Sequence, residues 1–416
     1  MTYGNGRNAS GSATSPTVWR TDEYVYAIMV SLSWAPIVCK LTLATGVWQT
    51  YDLTSTFATP LSVPPKDGKV DFSDAHKTMA IAVDSLGHVL VVGNLHSDPL
   101  NIARSTNPHD ITAWTTEVPG VIAGSGDPGA CTYPAFVRFS DGELWLKFSQ
   151  EDLGGSSNGR DSVLYRLEAG ATSWSAVGGG TGEIMTVVGS EVIPPGAGEA
   201  NRRAYLYPGV VDRDDVYHLW GTWRLRRNPV LQSDLIYVKT ADRGATWQNV
   251  YGTTVTVPLV YPDSLADVGV EGAADPANAG NLAVDSAGHV HGTYFFYFAE
   301  DAVHFWWDGT GWNTEPIPSL GFGDLPVITF HREELWYTGF KEGRLVSINP
   351  SSGAVVSHGE VPGPAPITPG VAFPNGATYA PSPDHVLTGR ATFFLPQGDT
   401  PRIYSLGDGP RYRVVP

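Results

Sequence analysis

A chain of 416 residues with a net charge of −16 has ample length for a large core and no basic excess, which argues against nucleic-acid binding, since that needs a basic face. Its 47 Gly, 32 Pro and 13 Trp residues, with few helix-period stretches, point to an all-β protein rich in turns. No apolar run approaches the ~20 residues that span a bilayer, so membrane insertion is not expected.

Taken in order, the chain begins with MTYGNGRNASGSATSP, whose Gly, Ser and Asn content reads as a flexible or docking segment over residues 1–16. It lacks a charged start followed by an apolar stretch, so no signal peptide is expected. Residues 17–416 read as one domain. Within them a hairpin recurs: strand, turn with Asp and often Gly, strand. It appears as VWRTDEYVYAI (18–28), IAVDSLGHVLVVG (81–93), VRFSDGELWLKF (137–148), GVVDRDDVYHLWGTW (209–223), LAVDSAGHVHGTYFF (282–296), ITFHREELWYTGF (328–340) and TYAPSPDHVLTGRATFF (378–394). A second hairpin follows each, usually closed by Trp, as in CKLTLATGVWQTY and VLYRLEAGATSW. Seven pairs of hairpins, spaced ~45–75 residues apart, predict a seven-bladed β-propeller of four-stranded antiparallel blades.

The stretch Thr240 to Trp247, TADRGATW, resembles the Asp-box of sialidase-type propellers, and its reading is structural. Asp and Gly close the turn, Thr satisfies backbone groups, and Trp packs between blades. Trp48, Trp114, Trp174 and Trp312 take the same core reading. Cys39 and Cys131 fall in different units, so no disulfide is expected. His76, His96 and Cys131 could be weighed as zinc ligands, but no short-spaced ligand pair occurs, and neither a metal nor a cofactor is expected.

In a propeller the first strand of each blade lines the axis, and residues just before it and just after the second strand crowd one mouth. These rules gather His76 and His96, which flank the second hairpin, with Tyr133, Ser149 and Gln150 from the third unit. Tyr207, Trp223 and Arg224 come from the fourth, Lys341 from the sixth and Arg390 from the seventh. Aromatic rings and polar groups in such a set suit sugar recognition. The histidines and tyrosine suit proton transfer as well. By contrast, His88 and His289 read as solvated turn residues, and His218, in mid-strand, as a satisfied core histidine.

The segments AHKTMAIAVDSLGHVLVVGNLHSDPLNIARSTNPHDI (75–111), TYPAFVRFSDGELWL (132–146) and YHLWGTWRL with SDLIYVKTADRGATW (217–247) resemble the BNR-repeat propeller family that includes ulvan lyases and related polysaccharide lyases. That resemblance implies a lyase site at His76, His96 and Tyr133, with β-elimination at a uronic acid. A base takes the C5 proton, an acid protonates the leaving oxygen, and a cation such as Arg224 neutralises the carboxylate. The chain departs from the family pattern at Ser149, where the lyases carry Arg. Arg224 and Lys147 are the two residues that could substitute. Propellers of this kind also resemble minor tail proteins of tailed bacteriophages. Three readings stay open: a glycan-recognising propeller in a virion tail or outside the cell, partnered by surface polysaccharide and other tail proteins; an active lyase with a degraded site; and a scaffold without a ligand.

Overall fold

The computed structural model describes residues 17–30, 35–58, 78–98, 100, 102–117, 131–151, 160–178, 182–185, 202–225, 232–259, 268, 281–295, 302–317, 327–331, 334–341, 344–360, 391–395, 402–406 and 413–415. The N-terminal segment 1–16, His76 and Arg390 lie outside them.

The period-2 apolar pattern and the Asp/Gly turns do what the sequence predicts, giving antiparallel hairpins joined side by side. The first sheet holds β1 (Val18–Arg20), β2 (Tyr24–Val30), β3 (Pro36–Thr42) and β4 (Val47–Asp52), and a short helix α1 (Thr54–Ala58) follows. The second sheet begins with β5 (Thr78–Val83), β6 (Val89–Asp98), β7 (Ile102–Ser105) and β8 (Trp114–Glu117). It continues with β9 (Cys131–Arg138), β10 (Leu144–Glu151), β11 (Arg160–Leu167), β12 (Ser175–Ala176) and β13 (Glu183–Met185). The third comprises β14 (Arg202–Leu206), β15 (Val210–Val211), β16 (Tyr217–Leu225), β17 (Gln232–Thr240), β18 (Trp247–Gln248) and β19 (Thr254–Val255). The fourth is β20 (Leu282–Val284), β21 (Val290–Phe295), β22 (Ala302–Trp307) and β23 (Trp312–Pro316). The fifth is β24 (Val327–His331), β25 (Glu334–Lys341), β26 (Arg344–Ile348) and β27 (Val355–Glu360). The last is β28 (Ala391–Leu395), β29 (Arg402–Leu406) and β30 (Arg413–Val415).

The innermost strands follow one another around a ring. β1 packs on β5, β5 on β9, β9 on β15, β15 on β20 and β20 on β24, and β28 closes against β1. This is a β-propeller, as predicted, and its ring leaves few open sheet edges. The predicted count of seven blades is corrected to six: the described strands form six sheets. The reason lies in strand length. β6 has ten residues against six in β5, so its end outruns its hairpin partner. There it pairs with the neighbouring inner strand, His96 opposite Thr132 and Asp98 opposite Cys131, and the second and third units fuse into one sheet.

The turns follow a single chemistry. Asp84 Oδ1 accepts from the Leu86 and His88 amides at 2.9 and 2.8 Å, and Asp285 Oδ1 does the same for Ala287 and His289 at 2.9 and 2.8 Å. An Asp that satisfies the turn's own amides fixes the hairpin locally. Gly87, at φ +86°, is required twice over, because a Cβ there would also lie 2.7 Å from the His109 ring. The Asp-box reading holds. Thr240 Oγ1 accepts from the Gly244 amide at 2.9 Å, and Asp242 takes the Thr246 amide at 2.8 Å and its hydroxyl at 2.6 Å. Trp247 is buried at the core of the third sheet. Both cysteines are buried, and no disulfide joins them.

Candidate functional site

Three of the sequence-predicted residues converge where β6, β9 and β10 end or begin on one rim. The register runs His96–Thr132–Ser149–Ser162 across four strands, each residue directly opposite the next. Neighbouring strands lie about 4.8 Å apart, so His96 and Tyr133, on adjacent strands, are neighbours in space. His96, Arg224 and Lys341 are placed by their backbone alone.

Tyr133 is set by a β-bulge. Lys147 lies opposite Ala135 and Ser149 opposite Thr132, so Tyr133 and Pro134 together face the single residue Phe148. Tyr133 adopts φ +57°, the left-handed region that a bulky side chain enters at a cost of about 1 kcal/mol or more. Its side chain is half-buried. A bulge that re-aims a tyrosine is the kind of strain found beside active sites. Tyr133→Gly is therefore expected to keep the bulge and raise stability by up to about 1 kcal/mol, while weakening ligand binding. Chemical denaturation beside a binding titration checks the two signs.

Lys147, weighed as a stand-in for the family's arginine, shares its strand face with Ser149, two residues on. Its ammonium is buried and donates to the Leu206 carbonyl, tying β10 to the end of β14. Burial pushes its pKa down to about 7. It serves the joint between the second and third sheets and is not presented at the rim. Gln150, opposite Cys131 and Asp161, is fully buried, and among the described residues neither polar atom of its amide has a hydrogen-bond partner. Ser149 is buried too.

On the third sheet, Tyr207 and Trp223 lie in the core. The Tyr207 ring packs 4.5 Å from Trp220, centroid to centroid. Neither ring is offered to a ligand at the surface here. Lys341 lies opposite Arg344 at the end of the β25–β26 hairpin, on a different sheet from the His96 row. Among the described residues, no group of three His, Cys, Asp or Glu side chains is arranged to hold a metal ion.

One residue the sequence reading passed over is Arg203. In the β14–β16 ladder it lies directly opposite Arg224. β14 begins and β16 ends at this rim, as β9 begins and β6 ends beside it. Two like charges facing each other across strands cost up to about 1 kcal/mol unless an anion lies between them. Arg202 adjoins this pair, and Arg226 and Arg227 follow Arg224, so 5 of the chain's 26 Lys and Arg fall in two short stretches. In a chain of net charge −16 that is a local basic focus. The clustering was visible in the sequence, but the pairing depends on a register that the sequence does not reveal.

His218 meets the core expectation. Its Nε2 faces Asp212 Oδ2 at 2.9 Å and its Nδ1 faces the Tyr237 hydroxyl at 2.6 Å, all within the third sheet. Burial pulls the His218 pKa down against the opposing pull of Asp212, so the imidazole stays neutral.

Comparison with known proteins agrees with this architecture. An ulvan lyase of polysaccharide lyase family PL25, solved bound to -[GlcA(1-4)Rha3S]-, superposes with a TM-score of 0.63 at 13% identity, covering 97% of this chain and 91% of that one. The polysaccharide lyase Uly1 superposes at 0.60 and 15% identity, covering 98% and 88%. At such identities the likeness shows a shared propeller fold. No curated protein matches the sequence. Residues 29–319, more than half of the chain, match the model of the BNR repeat-containing family, and the chain belongs to that family.

Proposed function

We propose that this chain is a glycan-recognising propeller whose rim takes an acidic polysaccharide. The observation that carries the reading is the Arg203–Arg224 pair facing across the β14–β16 ladder, on the same rim as the row containing His96 and the strained Tyr133. An anionic sugar relieves the repulsion between the arginines, and a tyrosine re-aimed by a bulge supplies the ring on which sugars pack. His76, Gln150, Tyr207, Trp223, Lys341 and Arg390 belong to the same proposed rim; the burial of Gln150, Tyr207 and Trp223 gives them supporting roles behind it. The solved relatives are named as polysaccharide lyases, one of them holding a glucuronate-containing ligand.

The second reading is an active lyase, favoured by the adjacency of His96 and Tyr133. In it His76, His96 and Tyr133 exchange the protons of β-elimination and Arg224 neutralises the uronate. Ser149, in place of the arginine of the lyase pattern, weighs against full activity, since losing a donor aimed at developing charge costs ~10²–10³ in rate.

For its setting, we infer a bacteriophage tail or the extracellular space, where binding host surface polysaccharide is useful without cleavage and residues 1–16 dock the domain onto other tail proteins. Purified particles lacking the protein would overturn the tail setting.

A panel of acidic and neutral polysaccharides, read for binding and for unsaturated ends absorbing near ~235 nm, the signature of the elimination in the lyase reading, tests both functions. Binding of acidic members without new absorbance is the expected result. Cleavage abolished by His96→Ala would establish the lyase. Preference for neutral glycans would overturn the acidic-ligand reading.

A further inference from the structure

Away from the rim, the seam between the fourth and fifth sheets carries a chain of titratable side chains that the glycan reading leaves unused. His291 on β21 and His304 on β22 lie edge to edge in nearly one plane, ring centroids 5.2 Å apart and planes 17° from parallel. His291 Nδ1 lies 3.0 Å from His304 Nε2. On the other side of His304, Nδ1 faces Glu315 Oε1 of β23 at 3.0 Å and the Tyr337 hydroxyl of β25 at 3.0 Å. The Tyr337 hydroxyl also donates to Glu315 at 3.3 Å. Beyond His291, Nε2 lies 3.7 Å from Asp285 Oδ2, whose other partner is His289 Nδ1 at 3.1 Å. The fifth sheet adds the Phe330 ring, edge-on to His291 at 4.8 Å. Trp306 stacks on His304 at 4.7 Å. Among the described residues, the groups carrying or able to gain charge around the pair are Asp285, His289, Glu315 and Tyr337. Burial keeps Tyr337 protonated.

The partners fix the protons. Glu315 accepts from His304 Nδ1–H, so His304 Nε2 is a bare acceptor and His291 Nδ1–H donates to it. His291 Nε2 is then the one open basic nitrogen, with no hydrogen bond of its own. A first proton lands there, facing Asp285. A second must go to His304 Nε2, which would set N–H against N–H at 3.0 Å and place two positive rings edge to edge. His304 and Glu315 together join the fourth sheet to Tyr337 of the fifth, so displacing His304 acts directly on the seam.

We propose that the His291–His304 pair is an acid-sensitive closure: the seam between the fourth and fifth sheets stays shut while at most one proton is on the pair, and opens locally when both rings are charged. The direction of titration agrees. Burial and the neighbouring His304 bring the His291 pKa down to about 4, and burial lowers that of His304. Both folded values lie below the usual 6.5, so their contribution is complete above that pH and is lost as pH falls towards about 4.

The test is hydrogen exchange on the intact protein, corrected for intrinsic rates, between about pH 7 and about pH 4.5. Peptides from β21, β22 and β24 are expected to exchange at least ~10-fold faster at the acid end, relative to β2 and β3 as internal reference. His291→Asn keeps a donor towards His304 but cannot be charged, and should abolish the increase. Unchanged exchange at the seam, or an increase that survives in His291→Asn, overturns the proposal. Should that variant not fold, wild-type protein with labelled histidines decides. Two coupled steps, both below the ordinary imidazole value, are expected; ordinary, independent titration of both rings would overturn it.

Discussion

Arg203→Glu is expected to lower affinity for an acidic polysaccharide by about 100-fold while leaving thermal stability unchanged or slightly raised. The two effects have opposite signs for one reason. In the ladder Arg203 lies opposite Arg224, a register at which like charges oppose folding and favour an anionic ligand. Reversing one charge converts repulsion into attraction, worth a few tenths to about 1 kcal/mol, and at the same time gives Arg224 an internal partner competing with the ligand. Arg203→Gln should fall between, since it removes the repulsion without supplying a competitor. Calorimetric titration at low and at physiological salt, beside thermal melts, reads both quantities. Binding by wild type should weaken as salt rises, and Arg203→Glu should flatten that dependence. Affinity left intact would place the ligand elsewhere. Affinity and stability falling together would mark Arg203 as structural.

How far the sequence carries the argument depends on the range of each interaction. The hairpins and their turns were legible because their causes are local. Asp84, Asp285 and Asp242 each cap amides within a few residues, and alternation along each strand decides which side chains enter the core. The gathering of His96 and Tyr133 on one rim was legible for a similar reason, since hairpin topology alone brings those strand ends together. Register was not legible. Nothing in the composition of β6 shows that its last residues pair with β9 instead of ending free, and that pairing turns seven expected sheets into six. The bulge at Tyr133 and Pro134 likewise depends on how β9 meets β10. Side-chain direction failed at the rim's inner edge: Gln150, Tyr207 and Trp223, assigned to the mouth by position, are buried. The His291–His304 pair was invisible because its members sit on two strands and their partners come from a third and from across the seam.

Asp212→Ala should destabilise the protein by about 3–5 kcal/mol, a loss on the scale of breaking a buried polar network. Asp212 holds two structures at once. Its Oδ1 accepts from the Asp214 and Val216 amides, both at 2.9 Å, closing the turn between β15 and β16. Its Oδ2 accepts from His218 Nε2 at 2.9 Å, and that bond fixes the tautomer in which His218 Nδ1 receives the Tyr237 proton. Alanine leaves two turn amides and the buried Nε2–H of His218 without their acceptor. Asn keeps the turn acceptor but sets an NH₂ against His218 Nε2–H. The ring must then move its proton to Nδ1 and the Tyr237 hydroxyl must turn away, so Asp212→Asn should cost less, about 1–2 kcal/mol. The pH dependence separates the two roles. Burial opposes the charge on Asp212, but the hydrogen bonds from His218, Val216 and Asp214 outweigh it and hold the folded pKa below the usual carboxylate value. Its contribution is therefore present above about pH 4 and is lost as pH falls through the lower folded value. His218, lowered by burial, already loses its contribution as pH falls below the ordinary imidazole value. Denaturant unfolding of wild type should thus weaken in two stages on acidification. In Asp212→Asn the carboxylate stage should vanish and the imidazole stage remain. A variant that kept both stages would show that carboxylates other than Asp212 set the acid limit of this fold.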